Sequence, residues 1–535
     1  MQRRRKLVTI ATLVASVLAA LAATVANGGT KATQALVIGA ADVSRSLSGD
    51  SAYIPDTTGR RPVYEGLLRL ATKPNAAALG GGFMVDPDPK KYTPLLATDW
   101  SVSPDNTVWT FNLRKGVKSG AGNELTSDDV KWSIDRSIAI GSTGGLGLKF
   151  TARVLSVAAP SKYVVTFTTN GPNAVFMART ASISYFPIYD SVEAKKHATG
   201  TDPWAKDFLN ANAVGFGPYT ITSWTKGQSM TFTARSDYWG PKPYYNTVTI
   251  LAIPDPASRL AALKQGSIQI ATGLSPDLIR DVRKDAKLKV TEFNGNNQVV
   301  LYPNYSVPQF KDRRVRQAIA HAIPYDDIIK GIYFGTASTM KTPVPPYVPY
   351  ASERYWRYQT DIAEAKRLMA AAGYAGGFDI ALSYANEHPE LDPIVAAIQQ
   401  SLGQIGIKVT LDKQPESILV GRSLGPHDIP FYISNTGSPE APDPSAVIAF
   451  FTRTAATNVT QYQNPAIEKL QTTVLTTLTP SRRAQLIYQA QKILETDLPD
   501  IWLFTFHEAF ASTKAIQGIT WSTDHSTLLW PLKGA

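Results

Sequence analysis

The stretch DPIVAAIQQSLGQIGIKVTL, residues 392–411, carries a helix signal followed directly by a strand signal. Asp392-Pro393 has the residue types that open a helix, with a side-chain acceptor at the cap and proline in the first turn. Apolar residues then recur on one helical face: Val395, Ile398, Leu402 and Ile405. After Gly406, apolar and polar residues alternate as in a half-buried strand. This helix–strand unit is typical of an α/β fold.

The same order of signals recurs along the chain. Asp255-Pro256 predicts a helix that ends at Gly266 and is followed by a strand containing Ile268 and Ile270. Further helices are predicted after Thr126, Asp312, Asp361, Asn464 and Ser481, and further strands at residues 36–38, 109–113, 163–168, 229–234 and 247–253. The sequence therefore predicts an α/β architecture with mixed sheets. The proline-rich run Thr342–Pro349 is interpreted as an ordered surface loop.

The N-terminus has the three parts of a secretory signal. Met1–Lys6 is cationic, Leu7–Val25 is uncharged and apolar, and small residues follow at Ala26–Gly29. This order predicts export and cleavage after about residue 26. The alternative is a retained anchor, since about 20 apolar residues can span a bilayer. Both interpretations place the protein outside the cytoplasmic membrane.

Composition excludes several classes of chemistry. The 535 residues include no cysteine, so thiol nucleophiles, thiolate metal sites and an acylated N-terminal cysteine are ruled out. The formal charge of +11 falls to +7 without the four basic residues of the signal. Lysine and arginine are scattered, without the basic run and interleaved aromatics of a nucleic-acid interface. No nucleic-acid partner and no cofactor are expected.

No local catalytic motif stands out. None of the six histidines has an i, i+4 histidine partner of a helical metal site, and His321 is assigned a structural role on an amphipathic helix. Gly80-Gly81-Gly82 lacks the Lys-Ser/Thr of a phosphate loop, and Gly215–Pro218 lacks the serine of a nucleophile elbow. Two carboxylates could still meet in space, as glycoside hydrolysis requires, so a hydrolase stays open.

Short motifs in a consistent order resemble one protein family. They run from VYEGLL at 63–68 through LATDW at 96–100, SPDNT at 103–107, LRKGV at 113–117 and LTSDDV at 125–130 to GFGPY at 215–219, YWG at 238–240, FKDRRVRQAI at 310–319 and IGIKV at 405–409. Together they resemble the bacterial extracellular solute-binding proteins of family 5, which bind dipeptides, oligopeptides and nickel for ABC importers.

The resemblance implies a two-lobed fold of the periplasmic-binding-protein class II type, with a hinge of two crossing strands and an extra inserted domain. By analogy, residues 36–60, 213–292 and 508–535 form lobe 1, residues 61–212 form its inserted domain, and residues 293–507 form lobe 2. The lobes are expected to close over a ligand by hinge motion, which excludes water and strengthens each hydrogen bond to the ligand.

The resemblance also implies where the ligand binds. Family peptide binders hold the ligand's ammonium with an acid just before an Asp-Pro pair, which here matches Glu440 and Asp443-Pro444. Asn435, His388, Glu390 and Tyr305 complete the candidate ligand-binding residues. The acids Glu387, Glu390 and Glu440 suggest a cationic ligand, or are solvated loop charges. The arginine and aromatic that often contact ligand in the family are absent from the matching loops.

These observations predict a monomeric, non-catalytic binding protein that delivers a peptide, or another small solute, to ABC transporter permease subunits. Two alternatives stay open: a secreted hydrolase, and a binding protein of this fold that acts as a sensor or chaperone. The sequence does not fix the ligand, nor how the protein is tethered without a lipid-bearing cysteine.

Overall fold

The structure of the protein is a computed structural model. It describes residues 34–50, 61–86, 88, 91–182, 186–294, 297–437, 442–452, 455, 457–523 and 528–534. The predicted signal at 1–26 lies outside the described residues. Among the helices of the described part, none combines the length and apolar character that crossing a bilayer requires.

The strands, in chain order, are β1 Ala35–Ala40, β2 Leu68–Leu70, β3 Thr72–Pro74, β4 Phe83–Val85, β5 Tyr92–Pro94, β6 Ala97–Val102, β7 Val108–Leu113, β8 Val154–Ser161, β9 Val164–Thr169, β10 Tyr219–Thr225, β11 Ser229–Ala234, β12 Thr247–Ala252, β13 Ile270–Thr272, β14 Leu288–Phe293, β15 Asn297–Pro303, β16 Ala337–Thr339, β17 Phe378–Ala385, β18 Ile407–Gln414, β19 Phe431–Gly437, β20 Ile501–Phe506, β21 Glu508–Thr513, β22 Ile516–Gln517, β23 Thr520–Trp521 and β24 Lys533–Gly534.

The α-helices, in chain order, are α1 Ser127–Ala139, α2 Thr143–Phe150, α3 Phe176–Thr180, α4 Ser191–Lys195, α5 Lys206–Ala211, α6 Pro256–Lys264, α7 Pro276–Val282, α8 Pro308–Lys311, α9 Arg313–Ala322, α10 Tyr325–Gly331, α11 Ile362–Ala371, α12 Leu391–Gly403, α13 Glu416–Leu424, α14 Pro444–Ile448, α15 Pro465–Thr476 and α16 Pro480–Asp497. Short 3₁₀ turns lie at Ala77–Leu79 and Ala449–Phe451.

Two mixed sheets organise the molecule. The first has seven strands in the order β10-β11-β12-β1-β13-β21-β14, and β1 is parallel to both of its neighbours. The second has six strands in the order β16-β20-β15-β19-β17-β18, in which β17 is parallel to β18 and β19. We call the first sheet with the elements packed on it the first lobe, and the second sheet with α8–α16 the second lobe. Mixed sheets confirm the architecture that the sequence predicts.

The first lobe has a hydrophobic core on each face of its sheet. Leu36 and Ile38 of β1 belong to a large core that continues into the antiparallel sheet β6-β7-β9-β8, where Phe111 and Phe167 are fully buried. Val37, which points to the other face, packs against the core formed by α6 and α7. The four-stranded sheet therefore shares a core with the first lobe.

Two family motifs meet at a buried carboxylate. Glu65 is 8% exposed and accepts hydrogen bonds from Tyr238 Oη at 2.6 Å and Trp239 Nε1 at 3.1 Å. Arg114 lies over the Trp239 ring, 4.3 Å from its centroid. Burial raises the pKa of Glu65 to about 7, against the lowering effect of the two hydrogen bonds. The motifs at 63–68 and 238–240, which are far apart in the sequence, are therefore in direct contact at Glu65.

The chain crosses between the two sheets at two adjacent points. β14 ends at Phe293 in the first sheet and β15 begins at Asn297 in the second. β20 ends at Phe506 in the second sheet and β21 begins at Glu508 in the first. β14 pairs with β21, and β15 pairs with β20, so the two crossing segments lie side by side. This is the expected hinge of two crossing strands.

Local start signals for helices were largely correct, with exceptions at Asp392 and at Ser481, since α16 begins at Pro480. Asp255, Asp361 and Asn464 each cap their helix with a side-chain hydrogen bond. Asp392 does not cap α12, which begins one residue earlier at Leu391. Its carboxylate instead binds Lys413 Nζ at 2.7 Å, a contact that no local pattern indicates.

The interpretation of Thr342–Pro349 as a surface loop was wrong. Val344, Tyr347 and Val348 are buried in the core of the first lobe, although both flanking segments belong to the second lobe. The Tyr347 ring packs edge-on against Trp521, 5.4 Å between centroids. The segment is therefore a strap between the lobes that is built of bends and turns, with a hydrogen bond of 2.9 Å from the Val348 amide to the Pro345 carbonyl.

We predict that Glu495 of α16 makes the stability of the protein depend on pH. Glu495 is 2% exposed, and both carboxylate oxygens lack a hydrogen-bond partner within the described residues. Burial raises the pKa of Glu495 to about 8, which the positive charge of Arg357 only partly offsets. An acid whose pKa is raised in the folded state loses stability as the pH rises from its ordinary value towards the raised one.

In urea unfolding, the free energy of unfolding of the wild type should therefore fall between pH 5 and pH 8.5. This decrease should exceed the one seen for Glu495→Gln by an amount on the order of 2–4 kcal/mol. The matched control is Glu364→Gln, which removes a surface acid paired with Arg367 and should leave the pH profile of the free energy of unfolding close to that of the wild type. Parallel pH profiles for the wild type and Glu495→Gln would contradict the prediction.

Candidate ligand-binding site

Several candidate residues lie at one edge of the second sheet. His388 and Glu390 follow β17, Glu416 follows β18, and Asn435 lies near the end of β19. Because β17 is parallel to both β18 and β19, the carboxyl ends of all three strands share this edge. Binding sites of open α/β sheets commonly lie at such an edge.

The same edge faces the hinge. β19 is antiparallel to β15, and its last residue, Gly437, pairs with Asn297, the first residue after the crossing from the first lobe. The carboxyl ends of β17, β18 and β19 therefore lie at the end of the second sheet where the chain crosses between the lobes.

His388 is held between two carboxylates at this edge. Its Nδ1 lies 3.1 Å from Glu390 Oε1, and its Nε2 lies 3.4 Å from Glu416 Oε1. Asn435 Nδ2 donates a hydrogen bond of 2.9 Å to the same Glu390 oxygen. The nearby Glu387 accepts a hydrogen bond from the Glu416 backbone amide at 2.8 Å. We call His388, Glu390, Glu416 and Asn435 the edge cluster.

The electrostatics of the edge cluster keep His388 charged. Hydrogen bonds to Glu390 and then to Glu416 raise the pKa of His388 to about 10. Burial raises the pKa of Glu390, but the hydrogen bond and charge of His388, a backbone hydrogen bond and the hydrogen bond from Asn435 together outweigh it, and the pKa lies below its ordinary value. The hydrogen bond from His388 also lowers the pKa of Glu416. At neutral pH the cluster thus contains two carboxylates and one imidazolium.

Asp443 has a structural role at the start of α14. Its Oδ1 accepts hydrogen bonds from the Ser445 backbone amide at 2.9 Å and from Arg483 Nη2 at 2.7 Å. Burial raises the pKa of Asp443, but the charge and hydrogen bond of Arg483 and the hydrogen bonds from Ser445 together outweigh it, so the pKa lies below its ordinary value. Burial raises the pKa of Tyr92 in the first lobe, and the charge of Asp443 adds to that effect. Asp443 therefore lies near the surface where the two lobes meet.

Tyr305 does not join the edge cluster. Glu440 lies outside the described residues. Tyr305 follows the opposite end of β15 from the hinge and packs against Tyr462, with Arg316 over its ring at 4.5 Å. The structure thus brings together His388, Glu390 and Asn435, and leaves Tyr305 at the far end of the sheet.

A second charged group lies at the crossing itself and was not found from the sequence. His507, between β20 and β21, has Nδ1 3.2 Å from Oε2 of Glu292 near the end of β14. Arg283 forms an ion pair with the other oxygen of Glu292. Burial raises the pKa of Glu292, but these two partners outweigh it and lower the pKa. The residues are up to 215 positions apart, so only the crossing of the strands brings them together.

Metal-ligand geometry is not found in the described part of the chain. No group of three or more histidine, cysteine, aspartate or glutamate side chains there is arranged to hold a metal ion. The imidazole nitrogens of His388 are both engaged by carboxylates, so the edge cluster offers hydrogen-bonding and charged groups rather than a vacant ligand set.

Comparisons with known proteins agree with this architecture. The sequence profile of bacterial extracellular solute-binding proteins, family 5 Middle, matches residues 91–458. The probable D,D-dipeptide-binding periplasmic protein of Escherichia coli K12 is 29% identical over 431 residues, which is 80% of this chain and 82% of that protein.

Solved structures resemble the whole described fold. A periplasmic binding protein of Helicobacter pylori, solved with the peptide STSA, has a TM-score of 0.80 at 24% identity and covers 94% of this chain and 98% of its own. NikA of Brucella suis, solved with Fe(III)-EDTA, has a TM-score of 0.81 at 23% identity and covers 94% of this chain and 100% of its own. These likenesses confirm the two-lobed α/β fold.

We predict that His388 stays protonated across the neutral range. Its ring signals in two-dimensional NMR should show a midpoint above pH 8.5, compared with an ordinary value of 6.5, because two carboxylates stabilise the imidazolium. The double substitution Glu390→Gln and Glu416→Gln should bring the midpoint back towards pH 6.5 or below. A wild-type midpoint near 6.5 would contradict the pairing that the structure describes.

Proposed function

This chain belongs to the bacterial extracellular solute-binding proteins of family 5, and we propose that it binds a peptide between its lobes and delivers it to the permease of an ABC importer. The observation that carries the proposal is the edge cluster at the hinge end of the second sheet. It presents an imidazolium, carboxylate and carboxamide within one small region. These groups match the amides and charged termini of a short peptide.

The chemistry of the edge cluster supports recognition rather than turnover. Glu390 Oε1 already accepts hydrogen bonds from His388 and Asn435, and no side chain of the described residues donates to its second oxygen. That oxygen can accept from a ligand N–H or ammonium. A histidine whose pKa is raised to about 10 is a poor general base at neutral pH, because it carries a proton already. We therefore propose that the bound peptide is released unchanged.

Relatives support the peptide as the ligand. The Escherichia coli relative carries the name of a D,D-dipeptide-binding protein, and the Helicobacter pylori structure contains a peptide. We propose the boundaries 36–60, 213–292 and 508–535 for lobe 1, 61–212 for its inserted domain and 293–507 for lobe 2. We further propose that the protein is exported by its N-terminal signal, acts as a monomer and engages permease subunits with its closed form.

We predict that at least one class of peptide stabilises the protein against heat. A ligand that binds only the folded protein raises the free energy of unfolding by about 2.7 kcal/mol at a hundredfold excess over Kd. Thermal unfolding should be screened against di- to pentapeptides, including cationic ones. Mass spectrometry of the peptide after incubation should find it intact. Hydrolysis of the peptide would favour the secreted hydrolase. The absence of a thermal shift with every peptide of a broad library would favour another solute, such as a metal chelate.

We predict that Glu440 binds the ammonium group of the ligand. Glu440→Gln keeps the shape of the side chain and removes the charge, which should cost about 2–5 kcal/mol of binding free energy if the ion pair is buried. The control Glu353→Gln removes an exposed acid of the second lobe and should cost less than about 0.5 kcal/mol. Calorimetric titration of the peptide identified in the screen measures both. Equal affinities for wild type and Glu440→Gln would overturn the assignment.

A further inference from the structure

The first lobe contains a cavity that is distinct from the edge cluster. It has a volume of about 260 Å³, many times the ~10–15 Å³ that one water molecule needs. It is lined by β2–β4, the end of α3 and the C-terminal segment, and its lining includes Arg61, Arg69, Phe83, Ser522 and Trp530. We call this the arginine cavity.

The charged side chains among the described lining residues are two arginines. Arg61 and Arg69 line it, and none of the described lining residues is acidic. Arg61 is held in place by a hydrogen bond of 2.9 Å from its Nη2 to Ser522 Oγ. Arg69 lies over the Trp530 ring, 5.9 Å from its centroid, and forms no ion pair within the described residues. Two positioned guanidinium groups favour a planar anion such as a carboxylate, which they can bind with paired hydrogen bonds.

The rest of the lining is suited to an apolar group beside that anion. Phe83 is 43% exposed although it faces the cavity, and Trp530, Leu528 and Leu70 form further apolar wall. Hydroxyl groups of Thr72 and Thr520 add polar contacts near the arginines. A phosphate or sulfate would leave the apolar wall without a partner. A carboxylate attached to an aromatic or aliphatic group would use both halves of the lining.

The cavity also lies close to the second lobe. Leu70 pairs with Tyr92 across the ribbon β2–β5, so their side chains lie on the same face of the ribbon. Tyr92 in turn is near Asp443 and Arg483 of the second lobe, whose charges act on its hydroxyl group. A ligand in the arginine cavity is therefore close to the surface where the two lobes meet.

We propose that the arginine cavity binds the carboxylate of a ligand that carries an apolar group next to it. Two sources have this chemistry, the C-terminal residue of a peptide and a free organic acid. The peptide source rests on the proposed function, whereas the cavity itself does not. Arg69 is the residue on which carboxylate binding depends most, because its guanidinium forms no ion pair within the described residues and its charge acts on the buried Glu65 only from a longer distance.

Calorimetry with matched probes tests the proposal. The first pair is 3-phenylpropionate and its uncharged amide, and the second pair is the tripeptide Ala-Ala-Phe and its C-terminal amide. Wild type should bind the acid of at least one pair about tenfold or more tightly than the corresponding amide, and Arg69→Gln should abolish that preference. Arg367→Gln, which removes an exposed arginine of the second lobe, is the matched control and should leave all affinities unchanged.

The outcomes separate this proposal from the proposed function. An Arg69-dependent preference for free Ala-Ala-Phe supports the peptide source, and one confined to 3-phenylpropionate supports the organic acid. If 3-phenylpropionate binds through Arg69 while no peptide binds at all, the cavity assignment stands and the peptide function falls. If the peptide binds equally with a free or amidated end, and 3-phenylpropionate does not distinguish wild type from Arg69→Gln, the cavity assignment is overturned. Circular dichroism and thermal unfolding establish that Arg69→Gln is folded.

Discussion

The double crossing between the two sheets is the constraint on which the other features depend. Along the chain, β14 is followed by β15, and β20 is followed by β21. In the first sheet β14 pairs with β21, and in the second sheet β15 pairs with β20, so the two crossing segments are joined by strand pairing on both sides of the crossing. Glu292, His507 and Arg283 form a partly buried charged group at this point. Two adjacent connections permit bending between the lobes but resist sliding, because sliding would break the pairing of Phe293 with Glu508 or of Gln298 with Thr505. The crossing therefore fixes which edge of the second sheet faces the first lobe.

The strap at 342–350 adds a third connection with different mechanics. Gln491 of α16 holds both of its ends, since Oε1 accepts from the Thr342 hydroxyl at 2.9 Å and Nε2 donates to the Tyr350 carbonyl at 2.9 Å. Its middle residues Val344 and Tyr347 are packed in the core of the first lobe. A segment anchored by hydrogen bonds in one lobe and by apolar burial in the other limits how far the lobes can separate. It can still follow a small rotation, because its own backbone belongs to neither sheet.

Sequence patterns were sufficient wherever the determining contact is local. The capping box of Thr126 and Asp129 and the caps at Asp255 and Asp361 involve residues three positions apart, so the pattern contains the contact itself. The hinge and lobes came from a resemblance, since no periodicity indicates that β14 and β21 are neighbours. Asp392 was misassigned because its partner, Lys413, lies on another element. Likewise, His388 was found as a candidate, but Glu416, which raises its pKa, was not.

The edge cluster and the arginine cavity differ in how far their charges are already paired within the protein. This difference affects how each site can contribute to specificity when the lobes close. In the edge cluster the ions already satisfy one another, so burial on closure carries a smaller desolvation cost than burial of an isolated charge. The groups that a ligand meets there are already held in position. The ligand binds mainly to the second carboxylate oxygen of Glu390, which accepts no hydrogen bond from a side chain of the described residues. In the arginine cavity Arg69 forms no ion pair in the described part of the chain, so an anion bound there gains a charge-assisted hydrogen bond that no protein carboxylate already makes. The second lobe thus supplies a site whose charges are internally paired, and the first lobe supplies Arg69, whose guanidinium lies over the Trp530 ring and forms no ion pair in the described part of the chain.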